Sequence, residues 1–200
     1  MYSKINLNIS ISLIIGICTV LFSLYAYKHN LSKKQNSICF SNLRKMHQSI
    51  QVYINDYDQT FPTSQFWIEH AQKQFSIEGC PASWTKPNLK PPLDEGGVPG
   101  YSYNGILASG VFKLNQAKYP SFTIAIRDFT TGFPITFSRY AYPKHMGHPS
   151  ILEKGWERHS GRGNYLFLDG HVRSLKAEWI LEPETETCHT KGNQYTFCAD

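Results

Sequence analysis

A chain of 200 residues with 41% hydrophobic content supports one globular domain of ordinary size with a segment left over, which excludes a disordered polar chain. The formal net charge of +5 is not spread evenly: residues 1–55 hold six basic side chains and no acid, whereas residues 56–200 hold 14 basic and 15 acidic. A nucleic-acid-binding surface is therefore excluded for the near-neutral C-terminal part, and the basic excess suits anionic lipid headgroups instead.

In chain order, the first element is an uncharged run from Ile5 to Tyr27. As a helix its 23 residues are long enough to cross a hydrocarbon core of roughly 30 Å. A cleaved secretory signal is the weaker reading, because "SLYAYKHN" places Tyr25 and Tyr27 where small residues are needed. Residues 1–30 are therefore expected to be a membrane anchor, with the bilayer as partner. Neither Gly nor Pro interrupts Leu31 to Tyr57, and Cys39, Leu43, Met46, Ile50, Tyr53 and Tyr57 recur at steps of three and four, one helical stripe. Residues 31–61 thus continue the same helix outside the membrane, ending where Pro62 restricts Phe61.

Beyond Pro62 short apolar runs are divided by Gly and Pro, with no internal repeat. "FWIEHAQKQF" reads as a short helix and "CPASWTKPNLKPPLDEGGVPG" as a covering loop. "YSYNGILA", "GVFKL", "FTIAIRDF" and "PITFSRYAY" read as short strands. The head, residues 62–200, is expected to be a small antiparallel sheet closed by a C-terminal hairpin and a polar tail. Cys18 lies in the span; Cys39, Cys80, Cys188 and Cys198 are an even set outside it, which suggests disulfides and an oxidising compartment. Of the three possible connectivities, Cys39 with Cys80 and Cys188 with Cys198 is favoured, since the second pair closes a short tail. Zinc is the weaker alternative because no C-x-x-C spacing occurs. Charge counting opposes an oxidising location: Lys28, Lys33 and Lys34 follow the span and only Lys4 precedes it, so the positive-inside rule alone puts the head in the cytoplasm.

The stretch "RHSGRGNYLFLDGHVRSL" carries His159, nine residues, then Asp169-Gly170-His171. Asp-Gly between "NYLFL" and "HVRSL" is a hairpin signal, expected here as a type I′ turn with positive φ at both central residues. "SGRGN" is a second bend, and His159 is expected to anchor it by hydrogen bonding.

Together with Cys39, Asn42 and Leu43 on the stem, Phe61-Pro62, Cys80-Pro81, and Tyr101 to Asn104, the set Arg158, His159, Asn164, Phe167, Asp169, Gly170, His171 and Val172 resembles the prepilin-like proteins defined by a His-(nine residues)-Asp-Gly element, relatives of type II secretion pseudopilins. The resemblance spans most of residues 36–175 in order. It implies an α+β, type IV pilin-like fold, a long N-terminal helix whose outer half packs on an antiparallel head, and an inner-membrane protein with an extracytoplasmic head. It also implies related pilin-like subunits as partners through the stem. The N-terminal region departs from that family: Gly16 lies inside the span and the first acid of the chain is Asp56, so the prepilin cleavage site and the mature Glu are not recognisable.

His145, His148, His159, Asp169, His171 and Asp128 could supply a two-His, one-carboxylate metal set. The turn and strand positions of Asp169 and His171 favour a structural role, and no nucleotide loop, G-x-S-x-G elbow or H-E-x-x-H motif occurs. The expectation is a non-enzymatic protein without metal or cofactor. Its function is then that of a pilin-like component of a type II secretion or type IV pilus-like system. The alternative is a stand-alone anchored binding module that does not polymerise.

Overall fold

The computed structural model describes residues 2–63, 66–67, 77, 79–83, 100–104, 107–128, 136–137 and 159–176; of 2–10, 83 and 136–137 it describes the backbone. The architecture is α+β: one long N-terminal helix, α1 (Tyr2–Asp56), and a small, mainly antiparallel sheet. The chain divides into two compact units, Met1–Lys34 and Gln35–Asp200.

In the first unit the helix is long and apolar enough to cross a membrane, and its large apolar side chains from Ile11 to Tyr27 are exposed. Two of its hydroxyls are satisfied internally, Thr19 Oγ1 donating to the Gly16 carbonyl and Ser23 Oγ to that of Thr19, each at 2.8 Å. Such back-bonding is how a helix carries Ser and Thr where water is scarce.

In the second unit the end of α1 buries Cys39, Leu43, Met46, Ile50 and Ile54, one face at helical spacing. The expected stripe drifts at its end. Ile54 takes the core position and Tyr57 lies outside the helix, 53% exposed. Helix α1 also stops earlier than Pro62 requires, because Asp58 and Gln59 adopt positive φ (50° and 62°). Gln59 N–H then donates to the Ile54 carbonyl at 2.8 Å, a six-residue Schellman-type closure of the last turn. Lys113 pairs with the Asp58 carboxylate, and that hydrogen bond first, then the lysine's charge, holds the Asp58 pKa down.

Among the described residues five strands follow, β1 (Tyr101–Asn104), β2 (Ile124–Asp128), β3 (Thr136–Phe137), β4 (Gly163–Phe167) and β5 (Val172–Leu175), in the order β3-β1-β2-β4-β5. The pairs β1–β2, β2–β4 and β4–β5 are antiparallel as the sequence suggests. Strand β3 pairs parallel with β1. It reverses direction after β2, but β4 occupies the remaining edge of β2, so β3 lands on the far side of β1. "GVFKL" forms no strand of the sheet: Lys113 makes one isolated bridge to Thr60, and a 3₁₀ turn begins at Leu114. Most of "FWIEHAQKQF" and of "PITFSRYAY" lies outside the described residues.

Strands β1, β2 and β4 are buried along their whole length. Alternation of side chains sends Tyr101, Tyr103, Ile126 and Leu166 into the cluster formed with the α1 stripe, and Ser102, Arg127, Tyr165 and Phe167 to the opposite face. Between Ile124 and Ile126 the pairing with β4 slips by one residue, a bulge that puts Ala125 in the same cluster as Ile126. Asp128 and Asn164 therefore face the helix with Ile126 and Leu166. Burial raises the phenol pKa of Tyr103 and Tyr165.

Candidate functional site

Where the sheet meets α1, the end of β2, the bend before β4 and the chain around Cys80 converge. Cys39 and Cys80 form a disulfide with a Cα–Cα separation of 5.0 Å. The other cysteine pair, Cys188 and Cys198, lies outside the described residues. The joint does not rest on the disulfide alone. Asn42 Nδ2 donates to the Gly79 carbonyl at 2.9 Å, Tyr101 Oη to the Cys39 carbonyl at 3.3 Å, and Asn164 Nδ2 to Asn36 Oδ1 at 2.7 Å. Two of these bonds flank the cysteines, so backbone on both sides of the sulfurs is held by groups that do not titrate near neutral pH.

His159 is carried to the same place by the Ser160-Gly161 bend, both residues at positive φ (56° and 83°), and its N–H donates to the Arg162 carbonyl at 2.9 Å. Its side chain does not stay at that bend as the sequence suggests. It reaches β2, where His159 Nε2 lies 2.9 Å from Asp128 Oδ2 with both side chains buried. The same oxygen accepts the Asn164 N–H at 3.0 Å, and Asp128 Oδ1 has no hydrogen-bond partner among the described residues. His159 Nε2 is also 3.8 Å from Cys80 Sγ. One ligand-type atom from each of Cys39, Cys80, Asp128 and His159 therefore falls within 4.8 Å of all the others.

The other end of the His-(nine residues)-Asp-Gly element docks further along the helix. Only Gly170 of the Asp-Gly pair has positive φ (92°). Gly170 N–H donates to the Phe167 carbonyl at 2.9 Å and Phe167 N–H to that of His171 at 3.0 Å, so the turn is a three-residue loop, Leu168-Asp169-Gly170, rather than type I′. Two side chains account for the longer loop. Leu168 is drawn into the core, and Asp169 Oδ1 accepts the His171 N–H at 3.2 Å, an Asx turn that does not need positive φ at Asp169. Asp169 Oδ1 also lies 2.5 Å from His171 Nδ1, and the His171 ring stacks on Phe167 with centroids 4.3 Å apart. The glycine lies against α1: a Cβ at Gly170 would overlap the His47 imidazole.

Beyond its core packing, the element meets α1 at two well-separated points, through Asn164 at Asn36 and through Gly170 at His47. From Asn36 to His47 the helix rises about 16 Å. From Asn164 to Gly170 an extended chain covers about 20 Å, less where it turns, so strand and helix keep pace. His159 and His171 form two separate carboxylate pairs rather than one site; His145 and His148 lie outside the described residues. From the sequence, Asp128 and His159 are named together only as members of a possible two-His, one-carboxylate metal set and are not paired. Nothing in the spacing of Asp128 distinguishes it from any other strand-end carboxylate.

Two expectations follow from this geometry. Gly161 and Gly170 both have positive φ, but a Cβ at Gly161 meets nothing within 4 Å. Gly161→Ala should therefore cost only the backbone strain, about 1 kcal/mol, and Gly170→Ala about 2–3 kcal/mol by thermal unfolding. Adding His47→Ala to Gly170→Ala should recover part of the difference; no recovery would mean that the His47 contact is not the cause. Burial lowers the pKa of His47, with the Asp169 charge partly opposing. Below its unfolded value of about 6.5 the unfolded chain then binds the proton more readily, so this contribution is full above that pH and is lost as pH falls toward the depressed folded value. Melting temperature should drop on the acid side of neutrality, and His47→Gln should reduce that slope; an unchanged slope would assign the acid sensitivity to other groups.

The described residues define a class in general terms: an α+β protein with one helix long and apolar enough to cross a membrane, and a sheet joined to that helix by a disulfide beside a His–Asp pair. No family model, curated protein or solved structure matches the chain.

Proposed function

We propose that this is a membrane-anchored, pilin-like envelope protein, a structural or assembly component of a type II secretion or type IV pilus-like system, held in the inner membrane with its head outside the cytoplasm. The observation that carries the reading is the unbroken α1, exposed and apolar from Ile11 to Tyr27 and buried along one face against the sheet from Cys39 to Ile54. A helix of that kind offers its apolar half to lipid or to the equivalent helix of a neighbouring subunit. The buried Cys39–Cys80 disulfide supports the extracytoplasmic orientation over the charge count.

Cys18 gives the test, because it is a free thiol exposed on the anchor. Oxidative crosslinking in isolated membranes should join copies through Cys18, and Cys18→Ser should abolish the product. The protein should also stay with membranes through alkaline carbonate; release would remove the anchor. A chain that remains in the membrane but never crosslinks would favour the second reading, an anchored binding module that does not polymerise. That reading draws on one specific feature: α1 has no carboxylate before Asp56 with which to meet a neighbour's terminal amine inside the bilayer.

A further inference from the structure

We propose that Cys39, Cys80, Asp128 and His159 are a latent zinc centre, closed as a disulfide under oxidising conditions and able to bind one tetrahedral Zn²⁺ once the two cysteines are reduced. The inference goes beyond the proposed role and does not depend on assembly.

Tetrahedral zinc with thiolate, imidazole and carboxylate ligands sets its donor atoms about 3.3–3.8 Å apart, given Zn–S near 2.3 Å and Zn–N and Zn–O near 2.0–2.2 Å. The four donor atoms here already lie within 4.8 Å of one another, with His159 Nε2 at 3.8 Å from Cys80 Sγ and 2.9 Å from Asp128 Oδ2. Reduction must let the two sulfurs part from bonding distance, about 2.0 Å, to about 3.8 Å, while the other donor pairs move apart or together by no more than about an ångström around a central ion. All four residues are buried, so the cluster has the dry surroundings of a structural metal site. Two thiolates and an imidazole select zinc over calcium or magnesium. Asp128 has an oxygen to spare, since Oδ1 accepts no hydrogen bond among the described residues while Oδ2 is held by the Asn164 N–H. Outer contacts position the cysteines without the S–S bond: Asn42 holds the Gly79 carbonyl beside Cys80, and Tyr101 holds the carbonyl of Cys39. Supports of this kind orient first ligands in metal sites.

The conversion is balanced by a dithiol. It passes two electrons and two protons to the Cys39–Cys80 bond and leaves as its own disulfide; zinc then displaces the two thiol protons to solvent as the thiolates coordinate. Disulfide and zinc are mutually exclusive at these sulfurs, so the cluster reports which side of the membrane the head has met.

The test uses the full chain synthesised into detergent micelles with a phosphine reductant present throughout, so that the cysteines are never oxidised, and Co²⁺ or Zn²⁺ as the probe. One Co²⁺ per chain should bind with the thiolate charge-transfer and intense visible bands of tetrahedral coordination, and Zn²⁺ should displace it. The oxidised protein should show none of this. His159→Gln and Asp128→Asn should each weaken Co²⁺ binding at least about 10-fold, while the double change Cys188→Ser with Cys198→Ser leaves it unaltered. Reduced, folded protein that binds no Co²⁺ overturns the proposal. So does binding that survives His159→Gln but is lost with Cys188 and Cys198. If the reduced chain is unfolded without metal, zinc should restore its near-ultraviolet circular dichroism, and failure to do so overturns the proposal equally.

Discussion

Replacing both Cys39 and Cys80 with alanine is expected to lower the melting temperature of the full chain in detergent by about 10 °C. The bond closes a loop with a sequence separation of 41. In the chain-entropy account a loop of that length restricts the unfolded state by about 4 kcal/mol, and for a head of this size each kcal/mol moves the midpoint by about 2–4 °C. The protein should still fold, because Asn42, Tyr101 and Asn164 tie the same segments together and the stripe from Leu43 to Ile54 stays buried. A shift below about 2 °C would show that those contacts already hold the chain in its folded register, leaving the disulfide little to restrict.

A comparable loss, about 3–5 kcal/mol, is expected from His159→Ala. The substitution removes one of the two groups that hold Asp128 Oδ2, leaves a carboxyl group buried beside the disulfide, and opens a cavity the size of an imidazole. His159→Gln should recover part of it, since its amide can still donate to Asp128. Chemical denaturation of the three proteins under one set of conditions separates the cases. A His159→Ala protein within about 0.5 kcal/mol of the parent would mean that water enters and satisfies Asp128, and that the pair is not a structural joint.

How far the sequence could be read depended on whether the deciding interaction was local. The long apolar run of α1, the buried stripe that follows it and the hairpin around Asp169-Gly170 are set by residues within a few positions of each other, and their outlines were legible. The same locality explains the small errors. Spacing alone carried the stripe to Tyr57, but the positive φ at Asp58 and Gln59 ended the helix first and gave Ile54 the last core position. Asp-Gly suggested a two-residue turn, but the pull of the core on Leu168 lengthened it.

The site was legible in its members and not in its pairings. Cys39, Asn42, Cys80, Tyr101, His159 and Asn164 could all be picked out in order along the chain, yet nothing in one dimension says that Asn42 reaches the carbonyl before Cys80 or that His159 reaches Asp128. Those are contacts between segments tens of residues apart. Likewise the parallel pairing of β3 depends on which sheet edge is still open, a property of the assembled sheet.

The Cys39–Cys80 bond also decides how the chain responds to being pulled. Tension applied between the N-terminal helix and any point beyond residue 80 passes from Cys39 to Cys80 through sulfur, so the intervening segment carries none of it. In a single-molecule stretching experiment, that segment's contour, about 140 Å when fully extended, should be missing from the oxidised protein's unfolding length. It should reappear when the bond is reduced. A head held in this way can be drawn by its N-terminal helix while the last part of α1, whose residues contribute to the core, stays behind a covalent bypass.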